Sequence, residues 1–595
     1  MISVCWSLHR ERQARHHLRA DRRPHDSTIV LVDRKAIATS PRPSGIGSDN
    51  DACGLLSAGR IAIDPNGIPR HERLSGTRWT RIATRSAAAH SSGGSSGWSR
   101  GGFLSAARLR GTLGATPATE GHTMTHNVID LGSDTDLAEV VAGLMPGLWR
   151  DLADLVRIPS VFPSPDVARA RQAIVKLFRD ANITEAVELS LTHQGKPITP
   201  LVYADRAGPE KSPTVLLYAH YDVQPANKAH WHVTEPFTPK EVLSGTDKRL
   251  YGRGAADDKS GVMLHLAVAR AFGGKLPVHL KLMLEGEEEN GTGLLEDYLT
   301  AHPGDPRFKA DLVIVADTGN VARGRPTVTS TLRGVVTVDV TVHTLRKTIH
   351  SGMYGGPVPD AFTCLVRMLS TLHDASGDVA VKGLAIDDLP WPAVDETQLR
   401  KEAAMLDGVP FVGTGTLAQR LYGRASVNVV GLDAGLPLPD KSANVLRDKA
   451  SARISMRTAP TQNPAAAQRA LIDHLKAHAP WGVQVETTPG ITAYGFSANP
   501  KGSYFPLVEQ ALKAAYPGST KVERAGQGGS IPLVHAFQVV NPNADIVLWG
   551  CEEPVCGIHG PDESVSHAEL QAMATAEVLL LDRIGKSDHH NGGAM

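Results

Sequence analysis

Residues 214–222 read Thr-Val-Leu-Leu-Tyr-Ala-His-Tyr-Asp, an apolar run that ends in polar side chains. Two further apolar runs, 279–284 and 312–316, follow along the chain, and residues 261–272, between the first run and the second, have the spacing of a helix. Apolar strands that alternate with helices are typical of a mostly parallel sheet covered by helices on both faces. The sequence therefore predicts an α/β domain built around residues 214–222.

Each of the three apolar runs is followed closely by side chains that bind metals. His220 follows the first run, Glu288 and Glu289 follow the second, and Asp317 follows the third. Ligands of parallel sheets bind beyond the carboxyl ends of the strands, so we expect these side chains to converge. Imidazole and carboxylate donors suit a pair of Zn²⁺ or Mn²⁺ ions, and this set differs from the sulfur-rich ligand sets of structural zinc sites. The full candidate set is His220, Asp257, Glu288, Glu289, Asp317 and His559.

Taken singly, each of these stretches has an ordinary explanation. Residues 285–289 hold four carboxylates within five positions, and such a run usually marks a solvated surface. The Asp257-Asp258-Lys259 turn is typical of an exposed loop. At a buried strand end, however, repelling carboxylates require neutralising cations. The combination therefore predicts a hydrolase that activates water between two metal ions.

The pattern of apolar and polar residues changes near residue 330. Residues 336–342 alternate apolar and polar side chains, which favours an antiparallel strand with one wet face. Strand candidates at 425–430 and 452–456 and a helix at 465–479 follow, so we expect an α+β lid or dimerisation domain inserted into the catalytic domain. The predicted divisions are an N-terminal extension (1–123), a first catalytic segment (124–327), the inserted domain (328–497), a second catalytic segment (498–586) and a flexible tail (587–595).

The composition excludes some classes of protein. The 595 residues carry balanced charge and five cysteines, which do not make a disulfide scaffold. No apolar run is long enough to span a membrane, so a membrane span is not expected. The cysteine usage favours a reducing, cytoplasmic compartment. Residues 1–123 hold 18 basic and 9 acidic side chains, with Ser/Gly-rich stretches. We interpret them as a disordered or dispensable extension before Met124, with a transit-type peptide or a nucleic-acid-binding basic arm as alternatives.

Several motifs together identify a resemblance to a known family. The chain resembles the carnosinase-like metallodipeptidases, a branch of the di-zinc exopeptidase superfamily that includes aminoacylases, glutamate-type carboxypeptidases and succinyl-diaminopimelate desuccinylases. The resemblance spans about residues 135–585, and Val-Gln-Pro after His220-Tyr221-Asp222 points to the dipeptidase branch. The matching stretches are 220–225, Trp231 with Pro236-Phe237, 251–259, 285–289, 316–317, 350–356, 528–532 and His559.

The resemblance implies a role for each candidate ligand. It assigns one metal to His220, Asp257 and Asp317. The second metal belongs to Asp257, Glu289 and His559, so Asp257 bridges the two. Glu288 is implied as the general base, and Asp222 as the residue that orients His220. The resemblance also implies a cis peptide bond after Asp257, and two divalent ions that are zinc, with manganese or cobalt as alternatives.

The resemblance further implies residues that bind the substrate. His350, in the inserted domain, polarises the substrate carbonyl in the partner subunit's site, which requires a homodimer. Arg457 binds the free carboxylate of the substrate, because its planar guanidinium suits that group. Asn444, Ser530 and Gly529 help to hold the same end.

The predicted function is therefore metal-dependent hydrolysis of dipeptides or other short peptides with a free C-terminal carboxylate. An N-acyl-amino-acid amidohydrolase would use the same di-metal site and is the nearest alternative. A binding or regulatory protein with a vestigial site, and a nucleic-acid binder that uses the basic arm, are alternatives from other classes. Membrane binding and nucleic-acid binding are not expected.

Overall fold

The computed structural model describes residues 133–435, 442–499 and 501–591. The predicted extension 1–123 and the predicted start at Met124 lie outside the described residues. The helices of the described ranges are α1 (Asp134–Val156), α2 (Pro165–Asp180), α3 (Lys259–Ala271), α4 (Leu294–Ala301), α5 (Ser351–Tyr354), α6 (Ala361–Leu369), α7 (Glu396–Glu402), α8 (Pro464–Ala477), α9 (Phe505–Ala515), α10 (Pro532–Val540) and α11 (His567–Asn591).

The strands of the described ranges fall into two groups along the chain. The first group is β1 (Val187–His193), β2 (Lys196–Arg206), β3 (Thr214–His220), β4 (Lys240–Ser244), β5 (Asp247–Tyr251), β6 (His279–Glu285), β7 (Leu312–Val315) and β8 (Thr327–Leu332). The second group is β9 (Gly334–His343), β10 (Ile349–His350), β11 (Ser426–Asp433), β12 (Val445–Leu446), β13 (Lys449–Thr458), β14 (Gln484–Ala493), β15 (Phe496–Ser497), β16 (Glu523–Gln527), β17 (Asp545–Leu548) and β18 (Ser564–Ser566).

The main sheet has nine strands: eight lie in the order β1-β2-β6-β3-β7-β17-β8-β15, and the ninth, β16, pairs with β8 outside this order. Its centre, β6-β3-β7-β17, is parallel, whereas β1, β2 and β15 pair antiparallel at the margins. The apolar runs that predicted buried strands form β3, β6 and β7. The α/β class with a mostly parallel sheet is therefore confirmed.

Strand β3 shows why its run is apolar throughout. Val215 and Leu217 pack into one core with residues of α1, α3 and α11, whereas Leu216 and Tyr218 pack into a second core with α4 and α10. All four side chains are fully buried. Helices thus cover both faces of the sheet, which removes the alternation expected of a half-exposed strand.

A second, four-stranded antiparallel sheet has the order β11-β13-β9-β14. Every other residue of β9 is buried, as the alternation in residues 336–342 predicts, and α6 and α8 contribute to the core on that face. The neighbouring strands β8 and β15 belong to the main sheet. The division of the chain at 328 and 497 remains a prediction.

The C-terminal region returns to the main sheet through β16 and β17. Strand β18 pairs with β5, which also pairs with β4, and α11 then packs against α1, α3 and α9. Helix α11 continues to Asn591, into the segment 587–595 that the sequence predicted as a tail. Within the described ranges, no helix is both long and apolar enough to cross a membrane.

Candidate metal centre

Three neighbouring parallel strands, β6, β3 and β7, end at the same edge of the main sheet. His220 is the last residue of β3, and Asp317 lies two residues after β7. Glu288 and Glu289 begin a short 3₁₀ turn that follows β6. The sheet therefore brings these four predicted side chains together, as expected for polar residues beyond parallel strands.

The N-terminus of α3 supplies the fifth ligand candidate, Asp257. The next residue, Asp258, caps the helix: one carboxylate oxygen accepts from the Gly261 N–H (3.2 Å) and the other accepts from the His220 N–H (3.1 Å). A Cβ at Gly261 would lie 2.4 Å from the Asp258 carboxylate, so this close approach requires glycine. The Asp257–Asp258 peptide bond is cis, as the resemblance implied.

Asp257 lies between two histidines. Its Oδ1 is 3.1 Å from Nε2 of His220, and its Oδ2 is 3.1 Å from Nε2 of His559. The same nitrogen of His220 is 3.4 Å from Asp317 Oδ1, and that of His559 is 3.2 Å from Glu289 Oε2. The members of both predicted ligand sets therefore lie close together, and Asp257 contacts both histidines. Their roles as ligands stay predictions.

The charge distribution fits divalent cations. Burial opposes protonation of His220, but the carboxylates of Asp317, Asp222 and Asp257 raise its pKa well above the usual value. Hydrogen bonds to Asp257 and Glu289 raise the pKa of His559 to about 10. The carboxylates therefore draw positive charge into the site. A divalent metal would displace those protons, because metal-bound imidazole is neutral.

Glu288 and Asp222 occupy one corner of the site. Ligand atoms of Glu288, His220 and Asp317 lie within 4.8 Å of one another. Burial raises the pKa of Glu288 well above its usual range, and the negative charge of Asp317 adds to the rise. The Asp222 carboxylate accepts from the N–H groups of Glu288 (3.2 Å) and Glu289 (3.1 Å) and lies 3.5 Å from Nδ1 of His220. Asp222 thus supports the carboxylate turn as well as His220.

Sequence reasoning assigned no role to Gln224, although it belongs to the Val-Gln-Pro motif. Its amide nitrogen donates to Glu289 Oε2 (2.8 Å), and its backbone N–H donates to Glu289 Oε1 (3.2 Å). Both oxygens of a candidate ligand are therefore oriented by one residue. Such contacts behind the ligands commonly affect metal affinity.

Sequence reasoning also missed Glu563, which is fully buried. Its carboxylate accepts from the N–H groups of Ala256 (3.0 Å) and Asp257 (3.2 Å) and pairs with Arg253 at 2.5 Å. Arg253 in turn donates to the Gly560 carbonyl, next to His559. The pair therefore joins the segments that carry two of the candidate ligands. Glu563 stands in a short polar stretch that gave no signal of burial.

Three of the four predicted carboxylate-binding residues, Arg457, Ser530 and Gly529, form a separate cluster. Arg457 Nη1 donates to Ser530 Oγ (2.7 Å), and Ser530 Oγ donates to the carbonyl of Arg333. The Gly529 carbonyl accepts from the Arg333 N–H (3.1 Å). Burial together with the charge of Arg457 lowers the pKa of Arg333 to about 10. Among the described residues neither guanidinium has a carboxylate partner, so the cluster suits an anion.

His350 and Asn444 lie apart from this site. The ring of His350, in the short strand β10, is exposed and accepts from the Met353 N–H (3.2 Å). The Asn444 carbonyl accepts from the Ser351 N–H (2.9 Å). Within the described ranges, none of their hydrogen bonds or ion pairs reaches the metal-binding candidates. Their predicted roles stay predictions.

Comparison with known proteins gives a consistent picture. The model of peptidase family M20/M25/M40 matches residues 216–583. The chain is 36% identical over 383 residues to a cysteinylglycine-S-conjugate dipeptidase of Corynebacterium striatum, covering 63% of this chain and 82% of that protein. It is 26% identical over 372 residues to a beta-Ala-His dipeptidase of Mus musculus, covering 60% and 74%.

Solved structures share the fold. The dipeptidase Dug1p of Saccharomyces cerevisiae matches with a TM-score of 0.65 at 20% identity, over 76% of this chain and 99% of that one. Human carnosine dipeptidase 1 matches with a TM-score of 0.62 at 22% identity, over 76% and 99%. At these identities, the likeness supports the fold alone.

Proposed function

The chain belongs to peptidase family M20/M25/M40, and from that premise we propose that it is a dipeptidase with a centre for two divalent cations. One observation carries the proposal: the two oxygens of Asp257 face His220 and His559, each at 3.1 Å. Asp257 would therefore offer one carboxylate oxygen to each of two cations, which would supply the chemistry of a two-metal hydrolytic site. The substrates are short peptides with a free C-terminal carboxylate.

The residues of this chain divide the work of amide hydrolysis. His220, Asp257 and Asp317 would hold one cation, and Asp257, Glu289 and His559 the other. When bound, the cations lower the pKa of water and neutralise developing negative charge. Glu288 takes a proton from the attacking water and delivers it to the departing amine, since its carboxylate adjoins His220 and Asp317. Arg457 and Ser530 bind the substrate carboxylate.

The test is a substrate panel after removal of metal by a chelator. Zn²⁺, Mn²⁺ and Co²⁺ are added back separately, and hydrolysis of Cys-Gly, S-substituted Cys-Gly, beta-Ala-His and other dipeptides is followed. Hydrolysis restored by one of the metals is the expected result. Turnover of N-acetyl amino acids with no dipeptide hydrolysis would favour the amidohydrolase alternative, and no bound metal would exclude both.

Zinc is the proposed metal. The proposed compartment is a reducing one such as the cytoplasm, because the thiols of Cys364, Cys551 and Cys556 are buried and free.

The proposed active form is a homodimer that joins through the segment 328–497. Two observations support it. His350 is exposed and makes no contact with the metal centre of its own chain among the described residues. The edge strand β11 exposes Val430 and Leu432, which are 60% and 58% accessible. An apolar edge strand left open in this way favours pairing with another chain.

Complementation between inactive variants tests the contribution of His350 in trans. In a mixed dimer of Glu288→Ala and His350→Ala chains, one site would keep Glu288 and receive an intact His350 from its partner. Random exchange of subunits should then restore about a quarter of the wild-type activity, because half of the dimers are mixed and each has one complete site. A mixture as inactive as its components would contradict the trans arrangement.

A further inference from the structure

A cavity of about 490 Å³ lies beside the metal centre. This volume is within the range of about 300–1,000 Å³ that is usual for ligand sites. Residues 392–402 and 421–422 form one wall, and strands β8 and β16 of the main sheet, with neighbouring loops, form the other. Apolar contacts come from Val321, Pro392, Leu399, Leu421, Ala525 and Ile558.

Glu552 lines this cavity and is only 7% exposed. Its carboxylate has no hydrogen bond or ion pair with any described residue. The adjacent Glu553 is equally buried but pairs with Arg249 at 2.5 Å. The Glu552 carboxylate is thus a buried acceptor that no donor or cation of the described residues satisfies, and buried acceptors are usually satisfied.

The position of Glu552 is fixed by its backbone. The Glu552 carbonyl accepts from the Asn320 N–H (2.8 Å), and a Cβ at Gly319 would lie 2.1 Å from the same oxygen. Glycine at 319 therefore permits the close approach of the two segments. This contact holds a carboxylate oxygen of Glu552 within 4.8 Å of ligand atoms of Asp257 and Asp317. Among the residues of the metal-binding groups, Glu552 alone also lines the cavity.

A second unsatisfied acceptor lines the same cavity. Oε1 of Gln527 is buried and has no hydrogen-bond partner among the described residues. The cation on the cavity wall, Arg325, is already paired with Glu523 at 2.6 Å. The cavity thus presents two free acceptors, and a ligand must supply the donors.

We propose that Glu552 binds the protonated α-amino group of the substrate's N-terminal residue, and that Gln527 offers a further acceptor within the same cavity. The inference rests on the proposed dipeptidase function. In an α-dipeptide the amino group is attached to the carbon next to the scissile carbonyl, so it must lie at the border between the metal centre and the adjoining cavity. Glu552 occupies that border. The apolar wall receives the N-terminal side chain, and the enzyme requires a free amino terminus.

Three substrates and two variants test this assignment. The substrates are Leu-Gly, N-acetyl-Leu-Gly and isocaproyl-glycine, which is Leu-Gly without its amino group. Glu552→Gln removes the charge, and Glu139→Gln is the matched control because Glu139 is exposed on α1 and does not line the cavity. Bound metal is measured for every variant, and kcat/KM is measured for every pair of variant and substrate.

We expect the wild type to prefer Leu-Gly strongly over both analogues. Glu552→Gln should lower kcat/KM for Leu-Gly by about 10- to 100-fold, the usual effect of losing a hydrogen bond to a charged group. It should leave metal content and isocaproyl-glycine turnover unchanged, and Glu139→Gln should behave as the wild type.

Other outcomes overturn the assignment. Loss of metal from Glu552→Gln, with equal loss of activity on all substrates, would make Glu552 a metal ligand. A wild type that cleaves N-acetyl-Leu-Gly as well as Leu-Gly would remove the amino-group subsite while leaving a metal-dependent hydrolase. No hydrolysis of any dipeptide by the metal-loaded wild type would refute the proposed function itself.

Discussion

The buried pair of Arg253 and Glu563 gives a prediction about stability and metal binding together. Replacing Glu563 by Gln keeps an acceptor oxygen for the N–H groups of Ala256 and Asp257 but removes the charge that faces Arg253. The side chains of the pair are 3% and 0% exposed, so water cannot compensate the guanidinium. Loss of the Glu563 charge should therefore destabilise both segments that carry metal-binding candidates, the one with Asp257 and the one with His559.

The expected magnitude follows from this burial. Removing one partner of a buried ion pair costs about 3–5 kcal/mol of unfolding free energy. The residues behind metal ligands usually affect affinity by about 10- to 100-fold. Burial raises the pKa of Glu563 to about 7, Asp257 adds to the rise and Arg253 opposes it. Measurement at about pH 8 keeps the carboxylate ionised, since that pH lies above its pKa.

Urea unfolding of the metal-free protein and competition with a metal-binding dye measure the two effects. Asp339→Asn is the control, because Asp339 pairs with Arg453 on the exposed surface. A double variant, Arg253→Met with Glu563→Gln, should regain much of the lost stability, since no unpaired cation remains. Stability and metal affinity of Glu563→Gln equal to those of the control would refute the reasoning, as would a double variant less stable than the single one.

Three other predictions concern the proton carrier, the carboxylate site and a buried histidine. Glu288→Ala should retain bound metal but lose most turnover, and metal analysis beside steady-state kinetics will show whether it is a base or a ligand. Arg457→Met should raise KM for dipeptides by about 10- to 100-fold, with a much smaller effect on their C-terminal amides. Burial, and secondarily the charge of His478, lowers the pKa of His474, so the folded protein favours its neutral form. The stability from neutral His474 is present above the unfolded pKa of about 6.5 and is lost as the pH falls below it. The thermal midpoint of His474→Gln should consequently decline less than that of the wild type between about pH 7 and pH 5.

The regions of the fold that sequence predicted best are those with continuous apolar runs. Strands β3, β6 and β7 are buried on both faces, and for that reason their sequences are nearly continuous apolar runs. The hairpin strands β1 and β2 were not predicted, because their more exposed residues break the apolar pattern.

The candidate site shows a similar division. His220 and Asp317 were found because they stand just beyond such strands. Glu563 was not found, because its role depends on Arg253, which lies 310 residues away in the chain. Glu552 was missed for the same kind of reason: the contrast with its paired neighbour Glu553 exists only once the chain has folded.

The order of strands in the main sheet has a consequence for synthesis of the protein. Strand β17 lies between β7 and β8, although it follows both in the chain. In a growing chain that has not yet reached residue 548, the edge of β7 that later pairs with β17 would thus lack hydrogen-bond partners. Apolar side chains lie on both faces of the sheet at this edge. Such an edge readily recruits other strands, so the emerging protein is most prone to aggregation in this interval. Pairing of β17 with β7 completes the sheet, and the segment that follows β17 brings His559 to the metal centre.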